Sequence, residues 1–338
     1  MKIRSLFFLA IITVLLGVVT TCEDTDSPTN RQGDTENKYG PTYTVPGGTL
    51  AVKLQCLESN AVSNTNYIIE VVNDEFINPQ YLYFSGRTNI TIQLKGIGGI
   101  KNIGINGSGS LFTIRNNVTL ILKENIVLNE SNDNYTLVNE GGGTFIMEGG
   151  KIYSVRVDGG TFTMNGGEIS GNGVGVHVDV RWYVDVDGEG GEGYKYGVFI
   201  MTGGTISGNT AYNGGGVLVK GGTFSMTGGV ISGNTAYAYG GGVYVESSSR
   251  FEKTGGIITG YSSDTVSGNV VKDSDGNVLN DQGHAVVVAS RNYNSDPWSP
   301  IYEFSIMKRK DTTAGEQDNL SYVSNEPNPP TISGAWDE

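Results

Sequence analysis

The sequence predicts an all-β chain wound as a single-stranded parallel β-helix, a solenoid of stacked repeats. Three observations carry this: an apolar spacing that recurs along the chain, paired glycines after the first strand of each repeat, and a Val-x-Val pair that closes the later repeats.

The spacing is seven residues. It separates Phe145 from Ile152, Phe162 from Ile169, Phe199 from Ile206, Phe224 from Ile231 and Phe251 from Ile258, and Leu120/Val127 keeps it too. Two residues after each Phe stands Met147, Met164, Met201 or Met226, with Lys253 in the last repeat. Side chains two apart on a strand share a face, so each Phe and its Met point the same way. The Gly-Gly pair that follows marks a bend, where backbone angles barred to other residues are needed.

The second register is the valine pair: Val176/Val178, Val217/Val219, Val243/Val245 and Val286/Val288. The residues between, His177, Leu218, Tyr244 and Val287, differ in chemistry, which suits a solvent-side position. Repeats of 25 and 27 residues separate Phe199, Phe224 and Phe251, and no segment of them has a period of 3.6. Stacking repeats about 4.8 Å apart would bury columns of Phe, Met, Ile and Val that no single repeat buries alone.

One interval departs. Phe162 to Phe199 is 37 residues, a gain of sixteen between Val178 and Val198 set against a loss of four between Asn172 and Gly173. An insertion confined to one bend leaves the columns in register. Asn172, Asn209 and Asn234 each follow an Ile by three in "ISGN", and stacked asparagines at a bend can hydrogen-bond along the axis. Asp179, Lys220 and Glu246 each follow a valine pair and predict a ladder of alternating charge.

Four segments are expected. Residues 1–21 read as a lipoprotein signal peptide: Lys2 and Arg4 precede fourteen apolar or near-apolar residues, Leu6 to Val19, and "VVTTC" places Cys22 for lipidation. Residues 22–46 read as a disordered tether with almost no aliphatic side chain. Residues 47–289 hold the repeats, opened by a short capping helix with Leu50, Leu54 and Leu57 on one face and Cys56 as a small apolar residue beside them. Residues 290–338 lose the spacing and carry Trp298, Tyr302, Phe304 and Trp336, which suits an irregular C-terminal cap. With Cys22 lipidated, Cys56 is the remaining thiol and no internal disulfide is expected.

Gly at 51 of 338 residues with only 9 Pro excludes collagen and Pro-rich linkers. Loss of residues 1–21 leaves 20 basic against 35 acidic residues, a net charge of −15. That balance argues against nucleic acid as a partner, since phosphate contacts need clustered Lys and Arg and the longest basic run is Lys308-Arg309-Lys310.

"MTGGTISGNTAYNGGGVLV" and "MTGGVISGNTAYAYGGGVYV" resemble right-handed parallel β-helix lipoproteins of bacterial envelopes, in the pectin-lyase-like superfold. "RKDTTAGEQDNLSYVS" and the terminal "ISGAWDE" resemble the endings of such lipoproteins, and the "GGGV" and "ISGN" units are similar to the repeats of polymorphic outer membrane protein adhesins. The resemblance implies the right hand of the winding; the lipobox-like cysteine, the acidic tether, the repeats and the lack of a catalytic set point to an outer membrane lipoprotein, exposed at the surface or in the periplasm, with a role in display or adhesion. The expected partners are host or matrix proteins or glycans, met by a monomer.

The insertion 179–197 is the candidate recognition loop, with Arg181, Trp182, Tyr183, Asp185, Asp187, Tyr194 and Tyr196. Aromatics beside carboxylates suit a sugar platform, and Asp185, Asp187, Glu189 and Glu192 are a weak calcium set that lacks the ordered D-x-D-x-D-G loop. No cofactor is otherwise expected. His177 and His284, the two histidines, read as exterior residues, and no catalytic set is assigned. The alternative to a binding module is a polysaccharide lyase or glycosidase-like enzyme with its chemistry near Arg181.

Overall fold

A computed structural model describes residues 40–129, 135–183, 192–246, 249–261, 268–279, 284–292, 301–306 and 332–333. The described chain is β throughout apart from one helix, Leu50–Asn60, and its strands pair almost entirely in parallel. Each repeat gives one strand to each of three faces. The phenylalanine sheet runs from Thr65–Val71 through Ile90–Gly96, Val118–Leu122, Thr144–Met147, Thr161–Met164, Gly193–Met201 and Gly222–Met226 to Arg250–Lys253. The isoleucine sheet has eight strands in chain order, from Glu75–Ile77 to Ile257–Ile258. The valine sheet runs from Gln80–Leu82 to Val286–Asn292.

The columns lie where the spacing puts them. Phe145, Phe162, Phe199, Phe224 and Phe251 pair in register, fully buried, with successive ring centroids 4.9, 4.8, 4.7 and 5.0 Å apart. That is the strand spacing itself, so each ring stacks on the next without tilting the backbone. Phe162 pairs with Phe199 across the 37-residue interval, so the insertion does not disturb the register. Ile169, Ile206 and Ile231 form a second buried column.

The glycine pairs divide their labour. The second of each pair needs a positive φ, 74° at Gly150 and 87° at Gly229. The first is set by close approach: a Cβ on Gly228 would lie 2.2 Å from the Thr202 carbonyl oxygen of the repeat before it.

Six expectations about the fold are corrected. Leu128, not Val127, pairs with Ile152 and is buried, because Asn125 at φ 63° absorbs one extra residue in the bend. The residues between the valines do not all face solvent: Tyr244 is 7% exposed and Val287 is fully buried, and they pack with Leu218 and Tyr239 in a second apolar cluster outside the valine sheet. Asn172 is exposed, whereas the buried ladder runs over Asn209, Asn234 and Asn269. The four residues lost after Asn172 are the reason. In later repeats that arc is a strand of a short third sheet, Thr210–Asn213, Thr235–Tyr239 and Val270–Val271, and it carries the chain outward past the asparagine.

The fourth and fifth corrections concern the ends. Thr42–Thr44, expected in the tether, joins the phenylalanine sheet beside Asn66–Ile68, and Val45 is buried. The C-terminal region is not wholly irregular: Ile301–Ile306 pairs antiparallel with Val287–Asn292, and Ile332 pairs with Phe251. Trp298 and Trp336 lie outside the described residues, as do Cys22 and residues 1–39.

The capping helix forms as expected, with Leu50, Leu54, Cys56 and Leu57 buried and Thr49 as its N-cap. Glu75, in register with Ile103 of the isoleucine sheet, ends that sheet beside the helix N-terminus and accepts from the Leu50 N–H at 2.8 and 2.9 Å. The sixth correction is Cys56, which is disulfide-bonded rather than free. The other cysteine of the chain is Cys22, so an intrachain disulfide and a lipid thioether compete for the same sulfur.

Candidate functional site

The insertion is a β-hairpin. Val176–Tyr183 runs past the edge of the valine sheet and returns antiparallel, pairing Val180 with Tyr196, Arg181 with Lys195, Trp182 with Tyr194 and Tyr183 with Gly193. Alternation along the strands sends Arg181 and Lys195 to one face and Val180, Trp182, Tyr194 and Tyr196 to the other. Trp182, Tyr194 and Tyr196 are 48%, 59% and 58% exposed, and the Trp182 and Tyr194 rings meet edge to face at 4.8 Å.

The basic face is anchored to earlier repeats. The Arg181 guanidinium donates to Glu140 and, at 3.1 Å, to Asp158 Oδ2, while Lys195 Nζ donates to the Gly141 carbonyl at 3.1 Å. Arg181 is therefore a brace for the hairpin and not a free recognition group. Asp185, Asp187 and Glu189 lie outside the described residues, and among the described residues no group of three or more His, Cys, Asp or Glu is placed to hold a metal.

Beneath the hairpin lies a polar cluster that the spacing alone did not expose. Glu140, Asp158, Asp179 and Lys220 follow one another at a single register position of the valine sheet. Asp179 lies opposite Lys220, as the expected alternation has it, but in the earlier repeats the same position carries carboxylates only, so three acids are adjacent. Arginines separate them: Arg115 and Arg181 on Glu140, Arg181 on Asp158, and Arg156 on Asp179 at 2.9 Å. Bidentate-capable guanidinium groups can bridge carboxylates that would otherwise repel at strand spacing.

His177 sits among these residues, with Tyr135 Oη 2.6 Å from its Nδ1 and Asp179 Oδ2 3.7 Å from its Nε2. Burial pushes His177 down to about 4, against the pull of Asp179, and pushes Tyr135 up to about 12. Tyr135 thus keeps its proton beside a neutral imidazole and shares one hydrogen bond with its Nδ1, with Nε2 on the far side of the ring. That nitrogen and Arg156 Nε are buried without a hydrogen-bond partner. The expectation of two exterior histidines holds for the outward direction of His177, whose ring is nonetheless mostly covered, and is corrected at His284. His284 is 1% exposed, accepts from the Val271 N–H at 2.9 Å through Nδ1, and is held at about 4 by burial.

Tyr135, Glu140, Arg156 and Asp158 escaped the sequence reading because no fixed spacing links them to the hairpin. The one available signal was the residue after each strand of "VNE", "VRVD" and "VHVD", which lines up only once the valine strands are paired. No family model matches the chain, and no curated protein or solved structure matches it either. Among the described residues no helix is long and apolar enough to cross a membrane.

Proposed function

We propose that the chain winds as a single-stranded right-handed parallel β-helix, held in the cell envelope by lipid on Cys22, and that it works at the cell surface as a non-catalytic binding module. The winding is supported by the visiting order of the faces, phenylalanine to isoleucine to valine in repeat after repeat, with parallel pairing between repeats. Parallel crossovers are right-handed in nearly all sheets, which agrees with the hand implied by the resemblance. The observation that carries the binding role is the hairpin: three exposed aromatic rings on one face, with the opposite face clamped to the body. A large exposed aromatic surface on a braced element is what a recognition site needs, since little ordering remains to be done on binding.

The test is a glycan and matrix-protein array probed with the mature chain in detergent, paired with proteinase digestion of intact cells. Specific binding together with surface cleavage is the expected result. Protection from proteinase and an empty array would overturn the reading.

A carbohydrate-active enzyme is a second reading, favoured by Tyr135 and His177 beside the unpartnered Nε of Arg156. Release of reducing ends or an unsaturated-sugar absorbance from a polysaccharide panel, abolished by Tyr135→Phe, would establish it in place of the first.

A further inference from the structure

The aromatic face of the hairpin overlooks a corner of the next repeat, and the two together form a shelf. Val180 sets its direction: a Cβ on Gly221 would lie 2.6 Å from Val180 Cγ1, so the glycine lets the hairpin base rest directly on the corner. The corner is itself pinned. The Gly221 N–H donates to Ser249 Oγ at 2.8 Å, Ser249 Oγ donates to the Val219 carbonyl at 3.2 Å, and the Glu246 N–H donates to the same carbonyl at 2.8 Å. Wall and floor are thus both fixed before any ligand arrives.

The floor carries one cation and one anion. Lys220 is exposed and Glu246 half-buried, and among the described residues neither side chain makes a hydrogen bond or an ion pair. Their neighbours are already committed: Asp179 to Arg156, and Arg250 to Glu252 at 3.0 Å.

We infer that this shelf binds a neutral glycan, one pyranose ring stacked by its C–H face on Trp182 and Tyr196 and its hydroxyls reaching Lys220 and Glu246. The inference rests on the surface-binding reading above and names its ligand. The chemistry favours this occupant for three reasons. A sugar ring offers an apolar face and a polar rim together, which matches an aromatic wall above a polar floor. Each hydroxyl both donates and accepts, so one ligand satisfies an ammonium and a carboxylate at once. A polyanion would be repelled by the chain's net charge of −13 and by Glu246, while an acyl chain would desolvate Lys220 and Glu246 without replacing their hydrogen bonds.

The experiment titrates the mature chain in detergent with hexasaccharides of β-1,4-glucan, β-1,3-glucan, N-acetylglucosamine and mannose, and with polygalacturonate as the anionic control. Calorimetry and tryptophan fluorescence both report, since Trp182 is one of three tryptophans. At least one neutral glycan should bind. Trp182→Ala and Tyr196→Ala should each weaken it about tenfold, the size of a lost aromatic contact, with thermal unfolding unchanged. Lys220→Met and Glu246→Gln should weaken it less, and Tyr237→Ala, on the third sheet, not at all. Neutral-glycan binding that Trp182→Ala leaves intact overturns the shelf. Binding of a matrix protein or polygalacturonate with no neutral glycan bound also overturns it, yet leaves the surface-binding reading standing. Silence on both this panel and the array removes the two together.

Discussion

Asn234 shows how much one side chain in this chain holds. Its Nδ2 donates to the Ile206 and Ser232 carbonyls and to Asn269 Oδ1, and its Oδ1 accepts from the Asn209 N–H and Nδ2, all within a fully buried bend. Asn234→Ala strands several of these groups without water, so a loss of about 3 kcal/mol is expected, against less than about 0.5 kcal/mol for the exposed Asn172→Ala. Urea unfolding of the two variants checks the contrast, and equal midpoints would refute the ladder. "ISGN" identified Asn209 and Asn234 but misplaced Asn172, because the motif is blind to the arc that follows it. Asn269, in "VSGN", was missed for the opposite reason: its spacing from Ile258 is irregular while its Ser-Gly-Asn triplet is intact. Tyr244 teaches the same lesson. Placed between two inward valines it should be outward, and it is, but a second cluster covers it. Tyr244→Ser is accordingly expected to cost about 2 kcal/mol by thermal unfolding, where a solvent-side position would cost almost nothing.

At the scale of elements, the hairpin is an insertion that leaves the regular path. Its aromatics were legible in the sequence; its orientation was not, since that depends on Arg181 reaching Glu140 and Asp158, 41 and 23 residues away, and on Lys195 reaching a carbonyl 54 residues away. Arg181→Ala should free the hairpin: limited proteolysis within 180–196 is expected to quicken about tenfold, while the melting temperature falls by only a few degrees, because Arg115 still serves Glu140. Arg181→Lys should restore much of the protection, because both contacts come from the one Nη1 atom of Arg181, and an ammonium can also donate to two carboxylates. Equal cleavage rates for all three chains would remove Arg181 from this role. The N-terminal repeats were the least legible elements. There Tyr67, Ile92 and Leu120 take the place of Phe, and Asn64, Asn89 and Asn117 take the left-handed positions that glycine fills later.

At the scale of the whole molecule, two imidazoles, a buried one at His284 and a partly buried one at His177, couple stability to pH. Each has a folded-state pKa of about 4 against an ordinary 6.5. As pH falls below 6.5 the unfolded chain takes up protons that the folded chain refuses, so stability is full above that pH and is lost progressively down to about 4. The loss is about 3 kcal/mol for each imidazole at its full extent. Thermal unfolding between pH 7.5 and 4 should show this decline, and His284→Gln should reduce its slope; a flat profile for the parent chain would contradict both assignments. The termini supply a second whole-molecule prediction. Lipid on Cys22 excludes an intrachain disulfide to Cys56, so the anchored form should show a diacylglyceryl mass on its N-terminal peptide and a Cys56 thiol that alkylates on unfolding without reductant. Alkylation only after reduction would remove the anchor.

The sequence by itself determined the all-β class, the Phe, Met, Ile and Val columns, the bends and the capping helix. Each of these follows from local spacing, and a repeated spacing is the same physical constraint met again in every repeat. Only the tertiary structure decided which residues became neighbours along the stack. Glu140, Asp158, His177, Arg156 and Arg181 meet because parallel strands set them about 4.8 Å apart, a distance that no interval in a linear chain encodes when the bends between them vary in length.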